Sequence, residues 1–108
     1  MSNDVLKSQM IRQAVLNLLA LFDAARGRYA LTKEQIRRNF IKGRTEVTAA
    51  DLESELTDLA EQRLIAATFD EELGVWLYTI ATRGRDFRRA GFPWDKLDEF
   101  SGADAPAH

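Results

Sequence analysis

Two stretches rich in arginine are the residues of this chain best suited to chemistry, and the chemistry is the holding of anions. Lys33 to Arg44 carries Lys33, Arg37, Arg38, Lys42 and Arg44 against Glu34, 5 minus 1, a net of +4. Arg83 to Arg89 carries Arg83, Arg85, Arg88 and Arg89 against Asp86. Cations clustered in this way neutralise phosphates and release the counterions condensed on them, which gives affinity for a nucleic-acid backbone with little reading of its sequence. The bland alternative is a solvated face, with Arg37 or Arg38 paired to acids of a neighbouring helix. The sequence leaves both readings open.

Between the two lies a segment of opposite sign. Thr48 to Arg63 holds Asp51, Glu53, Glu55, Asp58 and Glu61 against Arg63, 1 minus 5, a net of -4. Such a surface repels phosphate and suits a basic protein partner.

Catalytic chemistry finds few residues to work with. The single histidine is His108, the last residue, and cysteine is absent, so neither a histidine general base nor a thiolate nucleophile can be assembled. No phosphate-cradling glycine loop and no metal-spaced cluster appears, and the chain reads as a non-enzymatic protein without a cofactor.

The bulk properties set the frame. A length of 108 residues fits one domain, taken as 1–100, with a disordered tail at 101–108. Hydrophobic residues at 45% and charged residues at 30% describe a folded chain rather than a disordered one. A net charge of -2 provides no overall field toward phosphate or anionic lipid, so any nucleic-acid contact must be local. The start lacks a basic n-region and no apolar run is long enough for a bilayer, which reads as cytoplasmic with no membrane partner.

Apolar residues from Val5 to Ala25 recur at three- and four-residue steps, predicting a long first helix ended by Gly27. Ala14 and Leu21 widen its apolar face beyond one stripe, which makes a homodimer a candidate, with Ile11, Val15 and Leu18 as contact residues. Thr32 and Gln35 form a capping box inside a Leu31–Ile36 staple, so a second helix runs from Lys33 to Lys42 and stops at Gly43. Thr48, Asp51, Val47 and Leu52 repeat the device for a third helix, whose buried face is Leu52, Leu56, Leu59 and Ala60. Leu64 to Phe69 and Val75 to Ile80, rich in β-branched and aromatic residues around a turn containing Gly74, predict a hairpin. Thr82 to Ala90 predicts a short helix closed by Gly91, followed by an aromatic segment with Phe92, Trp94, Leu97 and Phe100. That segment either packs on the first helix, the favoured reading, or clasps a partner through Trp94 and Phe100. Phe69, Trp76 and Tyr78 read as hairpin and core packing rather than a base-stacking platform.

Three helices and a two-stranded hairpin, with Tyr29–Leu31 as a third short strand, give a mainly α fold with a small β-hairpin, in the order of a winged helix-turn-helix with a long N-terminal helix. The runs "LTDLAEQRLI" and "VWLYTIATRGRDF" resemble the winged-helix regulators of the ArsR, PadR and MarR type. Leu18 to Gly91 is more similar still to small winged-helix proteins of Mu-like phages and prophages, with "LAEQRLI" at a helix end and Thr82-Arg83-Gly84-Arg85-Asp86 after the hairpin. Two positions depart from the pattern. Arg63 stands where it has glycine, at about 1 kcal/mol if the left-handed conformation is kept. Ala81 stands where it has threonine, which moves the expected helix cap to Thr82.

The resemblance implies DNA binding and transcription regulation. For double-stranded DNA, the residues expected on phosphate are Arg37, Arg38, Lys42, Arg44, Arg83 and Arg85, with Ser54 and Thr57 as base-edge readers on the third helix. The competing expectation is a protein-interaction module that does not bind DNA, favoured by the acidic third helix and by the acidic hairpin turn Asp70-Glu71-Glu72.

Overall fold

The computed structural model describes residues 3–26 and 30–100. Gly27, Tyr29 and the tail at 101–108, with the expectations attached to them, lie outside the described residues. In chain order the elements are α1 (Asn3–Arg26), β1 (Leu31–Thr32), α2 (Lys33–Lys42), α3 (Ala49–Glu61), β2 (Ile65–Asp70), β3 (Val75–Ile80), α4 (Thr82–Ala90) and a 3₁₀ segment (Trp94–Glu99). The described part is mainly helical, with a three-stranded antiparallel sheet in the order β1-β3-β2.

The helix starts follow from short-range hydrogen bonds. Thr32 Oγ1 accepts from the Gln35 amide at 3.1 Å while Gln35 Oε1 accepts from the Thr32 amide at 2.9 Å, which satisfies two donors that the start of α2 leaves open. Thr48 Oγ1 accepts from the Asp51 amide at 3.0 Å, but Asp51 turns its carboxylate toward Lys7 at 3.8 Å and forms only half of the box. The cap of α4 is Ala81, without a side-chain bond, rather than Thr82, which is its first helical residue.

The ends of α2, α3 and α4 share one device. The Thr45 amide reaches the Phe40 carbonyl, Leu64 reaches Leu59 and Phe92 reaches Phe87, each five residues back across a left-handed residue. That residue is Gly91 at φ 63°, but Arg44 and Arg63 at φ 61° in the other two. Gly43 therefore does not make the left-handed stop of α2; it sits at φ -82° and passes the turn to Arg44.

Sixteen buried apolar side chains form one cluster, drawn from every α-helix, from the sheet and from the 3₁₀ segment. α1 contributes Ile11, Val15, Leu16 and Leu19, α2 Ile36 and Phe40, and α3 Leu52, Leu56 and Leu59. Ile11 and Val15 are 3% and 0% exposed, so both belong to this core and are unavailable to a second protomer. Leu18 is half-buried against the same core.

Phe87 of α4 organises the C-terminal segment. Trp94, Phe100 and Phe92 stand around it at ring-centroid distances of 4.7, 5.2 and 6.0 Å, and Trp94 Nε1 donates to Gln13 Oε1 of α1 at 2.9 Å. Trp94 and Phe100 are thus spent inside the chain, and the packing expectation replaces the clasp. α4 also approaches the backbone between α3 and β2. The Ala81 amide donates to Leu64 O at 3.0 Å, and a Cβ on Gly84 would lie 2.0 Å from that oxygen, so only glycine fits there.

Candidate nucleic-acid interface

With Ile36 and Phe40 inside, the 3.6-residue period turns Arg37, Arg38, Ile41 and Lys42 of α2 outward, and all four are exposed. The Schellman turn then places exposed Arg44 beside them. Arg37 Nε donates to Val47 O at 3.4 Å, which holds its guanidinium against the loop before α3. Grooves on either side of Arg37 and Ile41 are lined by Lys7, Arg44 and Glu46 with Val47 and Thr48, and by Lys33, Arg38 and Glu34 with Ala49. Arg37, Arg38 and Arg44 therefore border the N-terminal turn of α3, where the helix dipole favours an anion and where the carboxylates of Glu34, Glu46 and Asp51 also stand. Among the described residues, no carboxylate pairs with Arg37, Arg38, Lys42 or Arg44. The expected pairing of Arg37 or Arg38 with acids of the third helix is not what forms.

The acids of α3 are held by other cations. Arg12 of α1 reaches Glu55 at 2.7 Å and Asp58 at 2.9 Å; Lys33 reaches Glu53 at 3.6 Å, and Lys7 reaches Asp51 at 3.8 Å. Arg12 and Glu55 are mostly buried, so their bond resists salt better than the exposed Lys7 and Lys33 pairs. Sequence reasoning missed Arg12, because its partners lie 43 and 46 residues away and no local spacing signals them. Ser54 and Thr57 are exposed on the outer face of α3. The Thr57 hydroxyl donates to Glu53 O at 2.9 Å, which leaves its oxygen as an acceptor.

The α4 arginines do something different. Arg83 is 8% exposed; Nη1 donates to Gln62 O at 2.6 Å, and Nη2 donates to Phe100 O at 3.0 Å and Leu97 O at 3.5 Å. Its guanidinium also stands 5.7 Å from the Phe100 ring centroid. A phosphate cannot reach it, and the expectation of a DNA contact at Arg83 is corrected to a structural tie. Arg85 donates to Asp23 of α1 at 2.9 Å, which neutralises its charge, and Arg88 donates to Asn17 at 2.8 Å. These contacts fasten α4 to α1 and do not bring the second basic stretch to Arg37 and Arg38.

At the hairpin, Asp70 Oδ1 accepts from the Leu73 amide at 2.9 Å and Gly74 supplies φ 67°. Phe69 and Trp76 pack on each other across the strands rather than in the core. Tyr78, farther in on β3, has its hydroxyl pKa raised by burial and then by the charge of Glu53. On α1, Leu6, Met10 and Leu21 are exposed.

Among the described residues no group of three or more acidic, histidine or cysteine side chains could hold a metal ion, and no helix is long and apolar enough to cross a membrane. Comparison with protein-family models, with curated proteins and with solved structures finds no match for the chain.

Proposed function

We propose that this chain is a non-enzymatic winged-helix protein, of the phage- or prophage-encoded kind its sequence resembles, which regulates transcription by binding double-stranded DNA. In this reading β2 and β3 are the wing, and the contact surface is the turn between α2 and α3. One observation supports it above the rest: Arg37, Arg38, Lys42 and Arg44 have no carboxylate partner among the described residues, and Arg37, Arg38 and Arg44 border the N-terminal turn of α3, while Lys7, Arg12 and Lys33 hold four of its acids.

Phosphates seat on the guanidinium groups of Arg37, Arg38 and Arg44, with Lys42 adding charge at the edge. Ser54 and Thr57 are the side chains of α3 short enough to meet base edges without bringing a carboxylate. Two such readers give weak sequence preference, so most of the affinity is electrostatic. The acidic turn of the wing stays off the backbone.

Charge reversal tests the assignment. The double variant R37E/R38E is expected to weaken binding to a mixed-sequence duplex at least tenfold and to flatten its salt dependence, with stability lowered by less than about 1 kcal/mol, because the one bond lost is the long contact of Arg37 with Val47 O. Unchanged affinity and salt slope would remove the α2–α3 turn from the interface.

A further inference from the structure

The hairpin keeps its apolar face past the point where the core ends. By register, Ile65 faces Ile80, Ala67 faces Tyr78 and Phe69 faces Trp76 on one side of the sheet. The first pair is buried, but Phe69 and Trp76 are 46% and 52% exposed, with ring centroids 5.4 Å apart, edge to face. Leu73 in the turn is 68% exposed. Aromatic and aliphatic surface held open at a hairpin tip is the kind that a protein interface buries at its centre.

A groove of about 350 Å³ lies beside this tip, between Trp76 and Tyr78 of β3 and the first turn of α2, with Glu34 and Glu53 on its far wall. It exists because β1 is so short. The Thr32 capping box turns the chain into α2 at once, and beyond the Thr32–Leu77 pairing β3 has no β1 residue beside it. Of the groove's lining residues Lys33 alone is cationic, and its ammonium is held 3.6 Å from Glu53 in an exposed pair that is easily displaced. Asp70, Glu71 and Glu72 complete an acidic rim around the apolar tip.

We propose that this hairpin groove docks a basic, extended protein segment. One arginine or lysine of the segment seats over the Trp76 face between the carboxylates of Glu53 and Glu34, and an apolar neighbour covers Phe69 and Leu73. Charge complementarity selects this occupant. The rim repels nucleic acid and acidic peptides, a purely apolar ligand makes no use of the carboxylates, and a cation beside exposed aromatic rings uses both. Apart from Lys33 and Glu34, these residues are not those of the α2–α3 turn, so either surface can fail alone.

The test uses the full chain and three fluorescein-labelled hexapeptides read by anisotropy: alternating arginine and leucine, alternating glutamate and leucine, and alternating arginine and serine. The arginine–leucine peptide is expected to bind saturably and at least tenfold more tightly than the other two. Trp76→Ala is expected to weaken it at least tenfold, and Glu53→Gln about threefold, which corresponds to about 0.7 kcal/mol. R37E/R38E does not weaken it, since added negative charge beside Glu34 favours a cationic segment. Equal binding of the glutamate–leucine peptide, equal binding of the arginine–serine peptide, absence of binding, or insensitivity to Trp76→Ala overturns the proposal. So does loss of duplex DNA binding in Trp76→Ala, which would make the hairpin tip part of a nucleic-acid surface.

Discussion

Replacing Arg83 separates a structural arginine from a DNA-contacting one. Its guanidinium makes two well-formed bonds to backbone carbonyls, at 2.6 Å to Gln62 and 3.0 Å to Phe100, and a third at the outer limit of 3.5 Å to Leu97. Hydrogen bonds from a charged donor contribute about 1.5–3 kcal/mol each, and the lower half of that range applies here because water can reach part of the site once the side chain is gone. The contact with the Phe100 ring adds about 0.5–1 kcal/mol. Arg83→Ala is therefore expected to destabilise the fold by about 3.5–5.5 kcal/mol, a fall in Tm of roughly 15–30 °C for a domain of about 100 residues. Thermal and urea unfolding followed by circular dichroism measure this. Arg83→Lys, which keeps the charge but not the forked donors, falls between wild type and Arg83→Ala. Arg88→Ala, which loses one exposed bond to Asn17, costs less than about 1 kcal/mol. On the DNA-binding proposal, Arg83→Ala is expected, below its Tm, to keep the wild-type salt slope. A variant within about 0.5 kcal/mol of wild type whose salt slope nevertheless falls would refute the buried tie and restore Arg83 to the interface.

Three further outcomes follow from named contacts. Gly84→Ala places a Cβ 2.0 Å from Leu64 O, against backbone that cannot swing aside, and is expected to cost at least about 3 kcal/mol; Gly91→Ala, with open space around it but φ 63°, costs only about 1 kcal/mol, both read by urea unfolding. Arg44→Gly relieves a left-handed arginine, changes stability by less than about 1 kcal/mol, and lowers the DNA salt slope by about 0.9 in magnitude, so binding and folding respond separately at one residue. For Tyr78 the folded pKa is raised, so the contribution of its neutral hydroxyl is present below the unfolded value of 10.0 and is lost as pH climbs through the higher folded value. Tm is accordingly expected to fall above pH 10 in wild type, less steeply in Tyr78→Phe, with tyrosinate absorbance marking the titration.

Local signals were legible and long-range ones were not. Thr32, Thr48 and Gly91 mark their helix boundaries because caps act within a few residues, and the β-branched and aromatic run after Gly74 marks β3 from Val75 to Ile80. Gly43 marks the end of α2 as its C-cap, but the left-handed conformation falls one residue later, on Arg44. Burial of Arg83 left a usable trace: it precedes Phe87 by four residues and so shares the inward face of α4. Nothing comparable announces Arg12, whose value depends on α1 and α3 lying side by side. The strand period places Phe69 and Trp76 on the core-facing side of the hairpin, but where the core stops is a property of three-dimensional packing, and it stops short of them.

The most direct measurement is the anisotropy of a mixed-sequence DNA duplex titrated with the full chain across a series of salt concentrations. Four phosphate contacts at Arg37, Arg38, Lys42 and Arg44 correspond to a fall of log affinity against log salt with a slope of about -3.6. A slope near that value matches the four cations of the α2–α3 turn, and its fall in R37E/R38E assigns it to them. Absence of binding at the lowest salt, or binding indifferent to salt, would contradict the DNA-binding account.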